Sequence, residues 1–571
     1  MYLFLLQFCP MTSRWVEKNK TEEEVLDLSP MQRLLNKRGI SLASWGVYTQ
    51  PERMTEHDPF LMADMDRAVD LLQEHLQEGN KILVFGDYDV DGTCSVAMMY
   101  LFLSSIHPNV EFYIPDRYEE GYGFSSKGAQ YAVEQGFHLV ITLDCGTKDG
   151  ERIQFCRDHQ VDVIVADHHE PDVLPNANAV LNPKRKDCAY PFDGLSGCGV
   201  GYKLIHAFVK TYPEYAVDVE HYLDLVAMAA GADIVPMIDE NRILVAKGLN
   251  RMRASLRPGI AALIKKSGSK KTEWTVTDLV FLLAPRINAA GRIRSGRASV
   301  QLMIAQNEEE IESLANEVEA YNKSRRAIDM EVSEAAIQKV MDDPFNEHSV
   351  VTVVWGEDWL KGVIGIVASR LIEKFYKPTI VFTESHGTYA GSARSIEGID
   401  IYQALNECKD CLLQFGGHTM AAGMSVEKNK VLDFREKLDQ VVRSKMTEIP
   451  AVPTFYYDME LLLEQIDLNW VKEMQGLAPF GPENMTPVFL FKNVHHVYPP
   501  KVIGNDGKHV KCTFRQQSMG KYWDAVGFSM AKDWDIICHD CLDVLASLEI
   551  NEYNGRVSVQ LMLKAVRVHQ A

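Results

Sequence analysis

KILVFGDYDVDGTCSVAMM, residues 81–99, decides the fold of this chain. Its apolar run 82–85 predicts a buried strand, and the residues after the acidic segment predict a helix. Between them Asp87, Asp89 and Asp91 stand at alternate positions. Carboxylates this close repel one another unless a cation holds them. Because carboxylate oxygens suit hard divalent ions, the triplet predicts a site for Mg²⁺ or Mn²⁺; the alternative is a solvated acidic loop.

Short apolar segments alternate with helical patterns on both sides of this stretch. The candidate strands are 82–86, 110–114, 139–143, 161–166 and 178–181. Alternation of this kind predicts an α/β domain with a parallel, doubly wound sheet.

The rest of the chain predicts three further parts. Residues 308–342 contain no Pro or Gly and predict one long helix that connects two lobes. A second α/β segment follows, and the Val/Phe/Leu-rich strands and Asn-Gly turns of 453–571 predict a small β-barrel. The predicted domains are an N-terminal extension 1–60, a catalytic domain 61–307, the connecting helix 308–342, a second α/β domain 343–448 and a barrel domain 449–571.

Composition narrows the class of protein. The chain has 571 residues, is 46% hydrophobic and 24% charged, and carries a formal net charge of −20. That charge argues against non-specific coating of nucleic acid, but a local basic groove can still serve a nucleic-acid enzyme. The sequence has no apolar run of about 18 residues, so we expect no transmembrane helix. We interpret residues 1–10 as a tail or an upstream translation start.

Eleven cysteines are scattered along the chain. Two pairs have CxxC spacing, Cys408/Cys411 and Cys538/Cys541, but they lie in different predicted domains. A zinc ribbon needs two such pairs close together, so we expect ordinary thiols in a reducing cytosol.

Metal-type ligands recur at the predicted carboxyl ends of strands, where open parallel sheets bind their ligands. Asp144 ends VITLD, and Asp167, His168 and His169 end VDVIVADHH. Asp233 lies at the end of a predicted helix. Four segments that each supply such a ligand point to two metal ions, which can activate a water and stabilise the leaving oxygen of a phosphodiester. The histidines favour Mn²⁺ over Mg²⁺. The sequence has no nucleophile elbow or phosphate-binding loop, which favours direct hydrolysis.

The acidic triplet and the Asp167-His168-His169 segment resemble the DHH phosphoesterase superfamily. A longer ordered set of segments is similar to the bacterial RecJ single-strand-DNA exonucleases: PDRYEEGYGF (115–124), LAPRINAAGR (283–292), GVIGIVASRL (362–371), GSARSIEG (391–398), FGGHTMAAG (415–423), LAPFGPEN (477–484), GNDGKHVK (504–511) and NEYNGRVSVQL (551–561). This resemblance implies DHH, DHHA1 and OB domains. It also implies a metal-dependent exonuclease that degrades single-stranded DNA from the 5′ end to 5′-mononucleotides, in recombination and repair.

The resemblance also implies roles for individual residues. The implied metal ligands are Asp87, Asp89, Asp91, Asp144, His168 and Asp233, and the implied cofactor is Mn²⁺ or Mg²⁺, two ions rather than one. His169 either binds a metal ion or donates to the scissile phosphate. Asp167 orients a histidine from outside the ligand set. The implied catalytic residues are therefore Asp167, His168 and His169.

An arginine-rich segment, 284–297, stands out in an acidic chain and is either a solvated face or a phosphate-binding loop. Its small residues around Asn288 favour a close approach to a ligand. By resemblance, the pocket for a 5′-terminal phosphate contains Arg117, Arg286 or Arg292, Ser392 and Arg394. His418 either lines the same cleft or is structural. Tyr122, Phe124 and Phe415 are candidates for base stacking, with core packing as the alternative. Lys508, His509 and Lys511 mark a strand-binding surface on the barrel.

The chain departs from the family pattern in three places, none of which touches the predicted metal ligands. Leu360 replaces a histidine that usually follows the tryptophan, Ala393 replaces a glycine, and Gly481-Pro482-Glu483-Asn484 stands in place of a GxGN-like turn. Two other functions are compatible with parts of the sequence: a phosphodiesterase for short oligoribonucleotides or cyclic dinucleotides, and a non-enzymatic DNA-binding scaffold. The barrel argues against the first, and the complete ligand set argues against the second. The resemblance implies a monomeric, cytoplasmic bacterial enzyme that works on single-stranded DNA with a helicase and a single-strand-binding protein.

Overall fold

The structure is a computed structural model that describes residues 13–19, 28–446, 452–504, 506–517, 520–553 and 555–570. The proposed tail, 1–10, lies outside the described residues. The chain forms two compact units: residues 54–449 with 481–483 make one, and residues 1–53, 450–480 and 484–571 make the other. Among the described residues, every cysteine is a free thiol, and no helix has the length and apolar character that a bilayer crossing requires.

The N-terminal segment belongs to the same unit as the C-terminal barrel, which the sequence did not predict. It contains strand β1 (Arg14–Glu17) and helices α1 (Pro30–Lys37) and α2 (Leu42–Tyr48). Ser29 and Gln32 form a capping box at the start of α1. The apolar face of α1, with Leu34 and Leu35, packs into the core of the barrel unit.

The larger unit begins with the predicted parallel-sheet domain. Its strands are β2 (Ile82–Gly86), β3 (Val110–Tyr113), β4 (Leu139–Leu143), β5 (Asp162–Ala166) and β6 (Ala179–Leu181). Its helices are α3 (Met65–Gln77), α4 (Val90–Ile106), α5 (Ser126–Glu134), α6 (Gly150–Asp158), α7 (Gly197–Thr211), α8 (Leu223–Ala232), α9 (Asp239–Ala254), α10 (Pro258–Ser267), α11 (Val276–Asp278), α12 (Ala284–Ile293) and α13 (Arg297–Ile304).

The five strands are all parallel, in the order β3-β2-β4-β5-β6. Alternate residues of β2 enter different apolar clusters: Val84 packs on one side of the sheet and Phe85 on the other. Because both faces are covered, each strand is a continuous apolar run. The chain leaves β2 toward β3 on one side and returns as β4 on the other. Such a switch in strand order opens a crevice at the carboxyl ends, where ligands bind.

A single helix, α14 (Glu308–Asp342), leads to the second α/β domain. That domain contains α15 (Phe345–His348), β7 (Thr352–Gly356), α16 (Ile364–Phe375), β8 (Thr379–Ser385), β9 (Thr388–Arg394), α17 (Ile401–Glu407), β10 (Gln414–His418), β11 (Ala421–Val426) and α18 (Val431–Lys445). Its sheet runs β10-β11-β9-β8-β7, and only β7 and β8 pair in parallel. Helix α14 packs against α12 and α13 of the first domain and against α16 of the second, so it joins the two lobes.

The C-terminal elements are β12 (Thr454–Tyr457), β13 (Met459–Glu460), α19 (Leu468–Met474), β14 (Phe489–His496), β15 (Lys501–Ile503), β16 (His509–Arg515), β17 (Trp523–Gly527), α20 (Trp534–Ile537), β18 (Cys541–Tyr553) and β19 (Arg556–Val568). Strand β1 pairs in parallel with β12. The main sheet has seven strands, and an additional pairing of β14 with β16 curls it into the predicted barrel. The predicted fold class is therefore confirmed in all of its parts.

Candidate active site

Strand register brings the acidic residues together at one edge of the sheet. Gly86 pairs with Leu143, and Leu143 pairs with Ala166. The residues that follow these three strand ends are Asp87, Asp144 and Asp167. They therefore lie side by side at the carboxyl ends of β2, β4 and β5, although some 80 residues of sequence separate the first from the last.

The acidic segment runs into the start of a helix, because α4 begins at Val90, between Asp89 and Asp91, and not after the acidic segment as predicted. Asp89 is the N-cap residue, and its Oδ1 accepts a hydrogen bond from the Gly92 amide at 3.0 Å. A Cβ at Gly92 would lie 2.6 Å from the carbonyl carbon of Asp87, so this tight turn requires glycine.

Asp87 is completely buried, and neither of its carboxylate oxygens accepts a hydrogen bond within the described part of the chain. Burial, and then repulsion by Asp89, raises the pKa of the Asp87 carboxyl well above its usual range. A buried carboxylate without a donor is costly unless a cation compensates it. These two orphaned oxygens are therefore the clearest sign of a bound cation.

Asp91 joins α4 to α7. Its two oxygens accept hydrogen bonds from the amides of Gly197 and Cys198, at 2.7 and 2.8 Å, in the first turn of α7. Burial and the negative charge of Asp89 nevertheless raise the pKa of Asp91 to about 7.

His168 lies among three carboxylates that come from distant parts of the chain. Its Nε2 is 3.2 Å from Asp144 Oδ1, 3.6 Å from Asp233 Oδ2 and 3.9 Å from Asp91 Oδ2. Burial lowers the pKa of His168 to about 3, and the neighbouring charge of His169 acts in the same direction. The imidazole is therefore neutral, which is the form that binds a metal ion.

The carboxylates around His168 raise one another's pKa values. Asp144, at a left-handed φ of 57°, is buried, and burial followed by repulsion from Asp91 and Asp89 raises its pKa well above the usual range. Asp233 follows the last turn of α8, and burial followed by the same two charges raises its pKa to about 8. Ligand atoms lie within 4.8 Å of one another in two groups, Asp144-His168-His169 and Asp91-His168-Asp233. The groups share His168, so they form one continuous cluster.

The other histidine of the pair is held from both sides. Nδ1 of His169 lies 2.8 Å from Asp167 Oδ1, and its Nε2 lies 2.7 Å from the Tyr122 hydroxyl. Burial is the largest single effect and lowers the pKa of His169, but the hydrogen bond to Asp167 and the charges of Asp167, Asp91 and Asp89 together outweigh it, so the pKa is raised. Asp167 also accepts hydrogen bonds from the His168 and Thr147 amides, at 2.7 and 3.0 Å. Its oxygens are thus engaged inside the protein, as expected of a residue that orients a histidine.

Tyr122 reaches this position through the loop before α5. The Phe124 amide donates to Asp149 Oδ2 at 2.8 Å, and a Cβ at Gly123, where φ is 87°, would lie 2.9 Å from the same oxygen. The sequence analysis predicts a base-stacking role for Tyr122. In the structure its hydroxyl group also contacts the His169 ring. Phe124 is buried among apolar residues, which agrees with core packing, the alternative to base stacking at this position.

A basic pocket lies in the larger unit, where the first and second α/β domains meet. Arg292 Nη1 donates to the Gly362 carbonyl at 2.8 Å, and the Tyr118 hydroxyl contacts the Arg292 carbonyl. Arg394 Nη1 donates to Ser392 Oγ at 3.2 Å. A Cβ at Gly365, in the first turn of α16, would lie 3.0 Å from Arg394 Nη2. The pocket thus combines two guanidinium groups, a hydroxyl and a helix N-terminus, all of which favour an anion.

The other predicted pocket residues occupy different settings. Arg117 stacks over the Tyr88 ring at 5.0 Å. Arg286 is buried, and its Nε donates to Glu319 Oε2 of α14 at 2.8 Å, a contact that holds α12 on α14. Asn288 is half-buried, and we find no side-chain hydrogen bond for it among the described residues. Of the two arginines proposed for the pocket, the geometry therefore favours Arg292.

His418 is exposed on the edge strand β10. It pairs with Ala421, which in turn pairs with Arg394. Residues aligned across neighbouring strands point to the same face of a sheet, so His418 and Arg394 share a face about 10 Å apart. Ala393, the residue that replaces a glycine of the family pattern, points to the opposite face and is buried in the core.

Three known protein domains match successive segments of this chain. The DHH family N-terminal domain matches residues 81–230, the DHHA1 domain matches 347–444, and the RecJ OB domain matches 457–565. The first match covers the sheet and the acidic edge, so the first α/β domain is of the DHH class.

Two curated relatives match nearly the whole chain. The single-stranded-DNA-specific exonuclease RecJ of Bacillus subtilis is 36% identical over 560 residues, which cover 97% of this chain and 70% of the relative. The RecJ of Escherichia coli is 30% identical over 571 residues, which cover 96% of this chain and 97% of the relative. A crystal structure of RecJ from Thermus thermophilus in complex with Mn²⁺ superposes with a TM-score of 0.81 at 24% identity, covering 98% of this chain and 80% of that one. The chain belongs to the RecJ family, and the resemblance drawn from its motifs is confirmed.

Proposed function

We propose that this chain is a metal-dependent exonuclease that hydrolyses single-stranded DNA from the 5′ end and releases 5′-mononucleotides. The observation that carries the proposal is the buried cluster at the carboxyl ends of β2, β4 and β5. There the carboxylates raise one another's pKa values, a neutral imidazole lies among them, and both oxygens of Asp87 are buried without a hydrogen bond of normal geometry to the described residues. The curated relatives that match nearly the whole chain are named single-stranded-DNA-specific exonucleases.

The donor set fits Mn²⁺ or Mg²⁺. Oxygen ligands suit both ions, and the single nitrogen of His168 favours Mn²⁺. We assign metal binding to Asp87, Asp89, Asp91, Asp144, His168 and Asp233. Divalent ions bound there would neutralise the carboxylates, lower the pKa of a bound water and stabilise the leaving oxygen of the scissile bond. Two structures of RecJ with such ions, one with Mn²⁺ and one with Mg²⁺, share the fold.

His169 is positioned to act on the scissile phosphate. Asp167 and Tyr122 fix the ring from both sides, so its orientation is set before substrate binds. With its pKa raised by Asp167, the imidazole can carry the proton that a phosphate oxygen accepts.

The basic pocket supplies the polarity of the reaction. Arg292, Ser392 and Arg394, with Arg117 beside them, bind the phosphate of a 5′ terminus. A pocket that holds a terminal phosphate accepts only a strand end, and it places the first internucleotide bond toward the acidic cluster. The enzyme therefore removes one nucleotide at a time.

The barrel provides a surface for the rest of the strand. On β16 and the turn after β17, the His509 ring meets the Phe528 ring edge-on with centroids 5.2 Å apart, and 61% of Phe528 is exposed. Lys508 and Lys511 lie on the same strand or next to it. Exposed aromatic rings among cations bind single strands by stacking and charge. A helicase and a single-strand-binding protein would present such strands in the bacterial cytoplasm.

Cleavage of labelled nucleic acids tests the proposal. Single-stranded DNA, duplex DNA and a cyclic dinucleotide are each incubated with Mn²⁺, Mg²⁺ or EDTA. We expect mononucleotides from the single strand alone and none with EDTA. Cleavage that survives EDTA, or a preference for the cyclic substrate, would contradict the proposal.

Single substitutions test the assignment of the residues. Asp89→Ala and Asp144→Ala should abolish turnover and reduce the number of Mn²⁺ ions bound in an EPR titration, with the fold retained by circular dichroism. Arg394→Gln should weaken the preference for a 5′-phosphate over a 5′-hydroxyl end, whereas Arg443→Gln, on the exposed face of α18, should not. An Arg394→Gln enzyme with the full preference would remove this residue from the pocket.

A further inference from the structure

A buried asparagine extends the row of polar residues at the carboxyl ends of the strands. Ala166 of β5 pairs with Leu181 of β6. The residues that follow these two strand ends, Asp167 and Asn182, therefore lie side by side. Asn182 is completely buried. Its neighbours in this row are carboxylates, which only accept hydrogen bonds when they are ionised, whereas an amide group also donates them.

Three hydrogen bonds fix the orientation of the Asn182 amide group. Its Oδ1 accepts from the Lys184 backbone amide at 2.9 Å, and its Nδ2 donates to the His169 carbonyl at 2.8 Å. A backbone amide can only donate and a carbonyl can only accept, so the side-chain oxygen and nitrogen cannot exchange places. The other N–H group of Nδ2 donates to Thr147 Oγ1 at 3.1 Å. Both N–H groups of the side chain are therefore engaged inside the protein.

These bonds join the loops that follow three neighbouring strands. Thr147 lies in the loop after β4, His169 lies in the loop after β5, and Asn182 directly follows β6. Thr147 is also buried, and its backbone amide donates to Asp167 Oδ2 at 3.0 Å. Asn182 is thus connected to His169 in two ways. One bond reaches the His169 carbonyl directly, and the other reaches Thr147, which holds the carboxylate that binds the His169 ring.

His169 depends on such support because it lies in irregular backbone. The segment 167–178, between β5 and β6, contains no helix or strand, and the amides of Asp167 and Asn178 tie its two ends to the sheet. Within the segment, the His169 amide donates to Asp167 Oδ1 at 3.2 Å, and its carbonyl accepts the bond from Asn182. Side chains therefore hold the His169 backbone on both sides. The direction of a ring follows from its backbone, and small displacements of a reacting group slow catalysis strongly.

We infer that Asn182 is a positioning residue, which holds the backbone of His169, with Thr147 as its second contact, so that the imidazole ring faces the scissile phosphate. This inference rests on the proposed function, in which His169 acts on that phosphate. None of the three hydrogen bonds of the Asn182 side chain reaches a residue assigned to metal binding. Loss of this side chain should therefore slow the reaction while the metal ions stay bound.

Steady-state kinetics on 5′-phosphorylated single-stranded DNA with Mn²⁺ test the inference. Asn182→Ala should lower kcat about 10–100-fold, with KM little changed and full Mn²⁺ binding in an EPR titration. The matched control is Asn178→Ala. Asn178 directly precedes β6, and its side chain also makes two hydrogen bonds, with Val163 and Asp162, but at the opposite end of the strand. Its loss should leave kcat unchanged. Equal kcat values for the two variants, or loss of Mn²⁺ from Asn182→Ala, would overturn the inference.

A second pair of variants separates hydrogen bonding from packing. Thr147→Val keeps the size of the side chain but removes the hydroxyl that accepts from Asn182, whereas Thr147→Ser keeps the hydroxyl and removes a methyl group. Thr147→Val should lower kcat several-fold, and Thr147→Ser should work at nearly the wild-type rate. A role in packing alone would give the reverse order, because serine leaves a cavity and valine does not. That reverse order would contradict the inference.

The placement of the ring can be measured without catalysis. In the full chain with isotopically labelled histidine, kept in EDTA, the NMR signal of the His169 ring is the one that His169→Gln removes. We expect this signal to shift or broaden in Asn182→Ala and in Thr147→Val, and to stay unchanged in Asn178→Ala. An unchanged signal in Asn182→Ala would refute the inference whatever its kcat. A wild-type chain that degrades no single-stranded DNA would count against the proposed function instead, and the NMR comparison would still decide the inference.

Discussion

Replacing Asp87 by asparagine removes a fully buried carboxyl group from the acidic cluster. Burial and Asp89 raise the pKa of this carboxyl well above 3.8, and its oxygens have no donor among the described residues. An acid whose pKa is raised by folding takes up a proton in the folded state. Its energetic cost is therefore absent below the unfolded pKa and grows as the pH rises toward the folded pKa.

The magnitude follows from this linkage. Wherever the unfolded carboxyl is ionised and the folded one is still protonated, wild type loses about 1.36 kcal/mol per pH unit relative to Asp87→Asn, which amounts to about 3 kcal/mol across two pH units. The larger unit has about 400 residues, which implies an unfolding entropy near 0.8 kcal/mol/K and a difference in Tm of about 3–4 °C. The buried amide adds a cost of about 1–3 kcal/mol that does not depend on pH. The titration of Asp87 is therefore read from how the stability difference between the two proteins changes with pH.

The assay is differential scanning calorimetry of both proteins in EDTA at pH 5, 6 and 7. The Tm of Asp87→Asn minus that of wild type should rise with pH, whereas Asp172→Asn, an exposed carboxylate of the same domain, should show a constant difference. Mn²⁺ should raise the Tm of wild type more than that of Asp87→Asn, because the cation compensates the charge that the variant lacks. A difference that stays flat across this pH range would refute the buried, donor-free placement of Asp87.

Three further predictions test single contacts. Tyr122→Phe removes the hydroxyl that holds the second histidine of the DHH sequence and should lower kcat about 10–100-fold with Mn²⁺ binding unchanged; an unaltered kcat would make the contact incidental. Arg286→Leu leaves Glu319 buried and unpaired and should cost about 3–5 kcal/mol of stability, whereas the double replacement with leucine should recover most of it by calorimetry. Gly92→Ala forces a Cβ against the backbone of Asp87 and should abolish Mn²⁺ binding in the EPR titration; full binding would show that this turn can relax.

Sequence alone predicted the local elements of this protein well. The apolar run at β2 marks a strand buried on both faces, and the strands that follow it recur with helical patterns between them, as a parallel sheet requires. The long helix α14 was visible because nothing in 308–342 breaks a helix. The helix was predicted to begin after the acidic segment, whereas α4 begins inside it, because the pattern of apolar residues does not show that Asp89 caps the helix.

Contacts between distant segments could not be read from spacing. The N-terminal segment was predicted as a separate extension, yet β1 pairs with β12 and α1 packs into the barrel core. Arg286 and Arg292 were equivalent in sequence, and only the position of α14 assigns one of them to Glu319.

The sequence by itself determined which chemical groups stand at the strand ends, since a strand's apolar run stops where its polar ligands begin. Only the tertiary structure shows which of those groups lie together around His168 and which one instead holds His169. His168 meets Asp91, Asp144 and Asp233 because register and helix packing converge on one edge of the sheet. Asp167, in the same Asp-His-His sequence, turns inward to hold His169. Periodicity is a local property of a chain, whereas distance and burial depend on every element packed around a site.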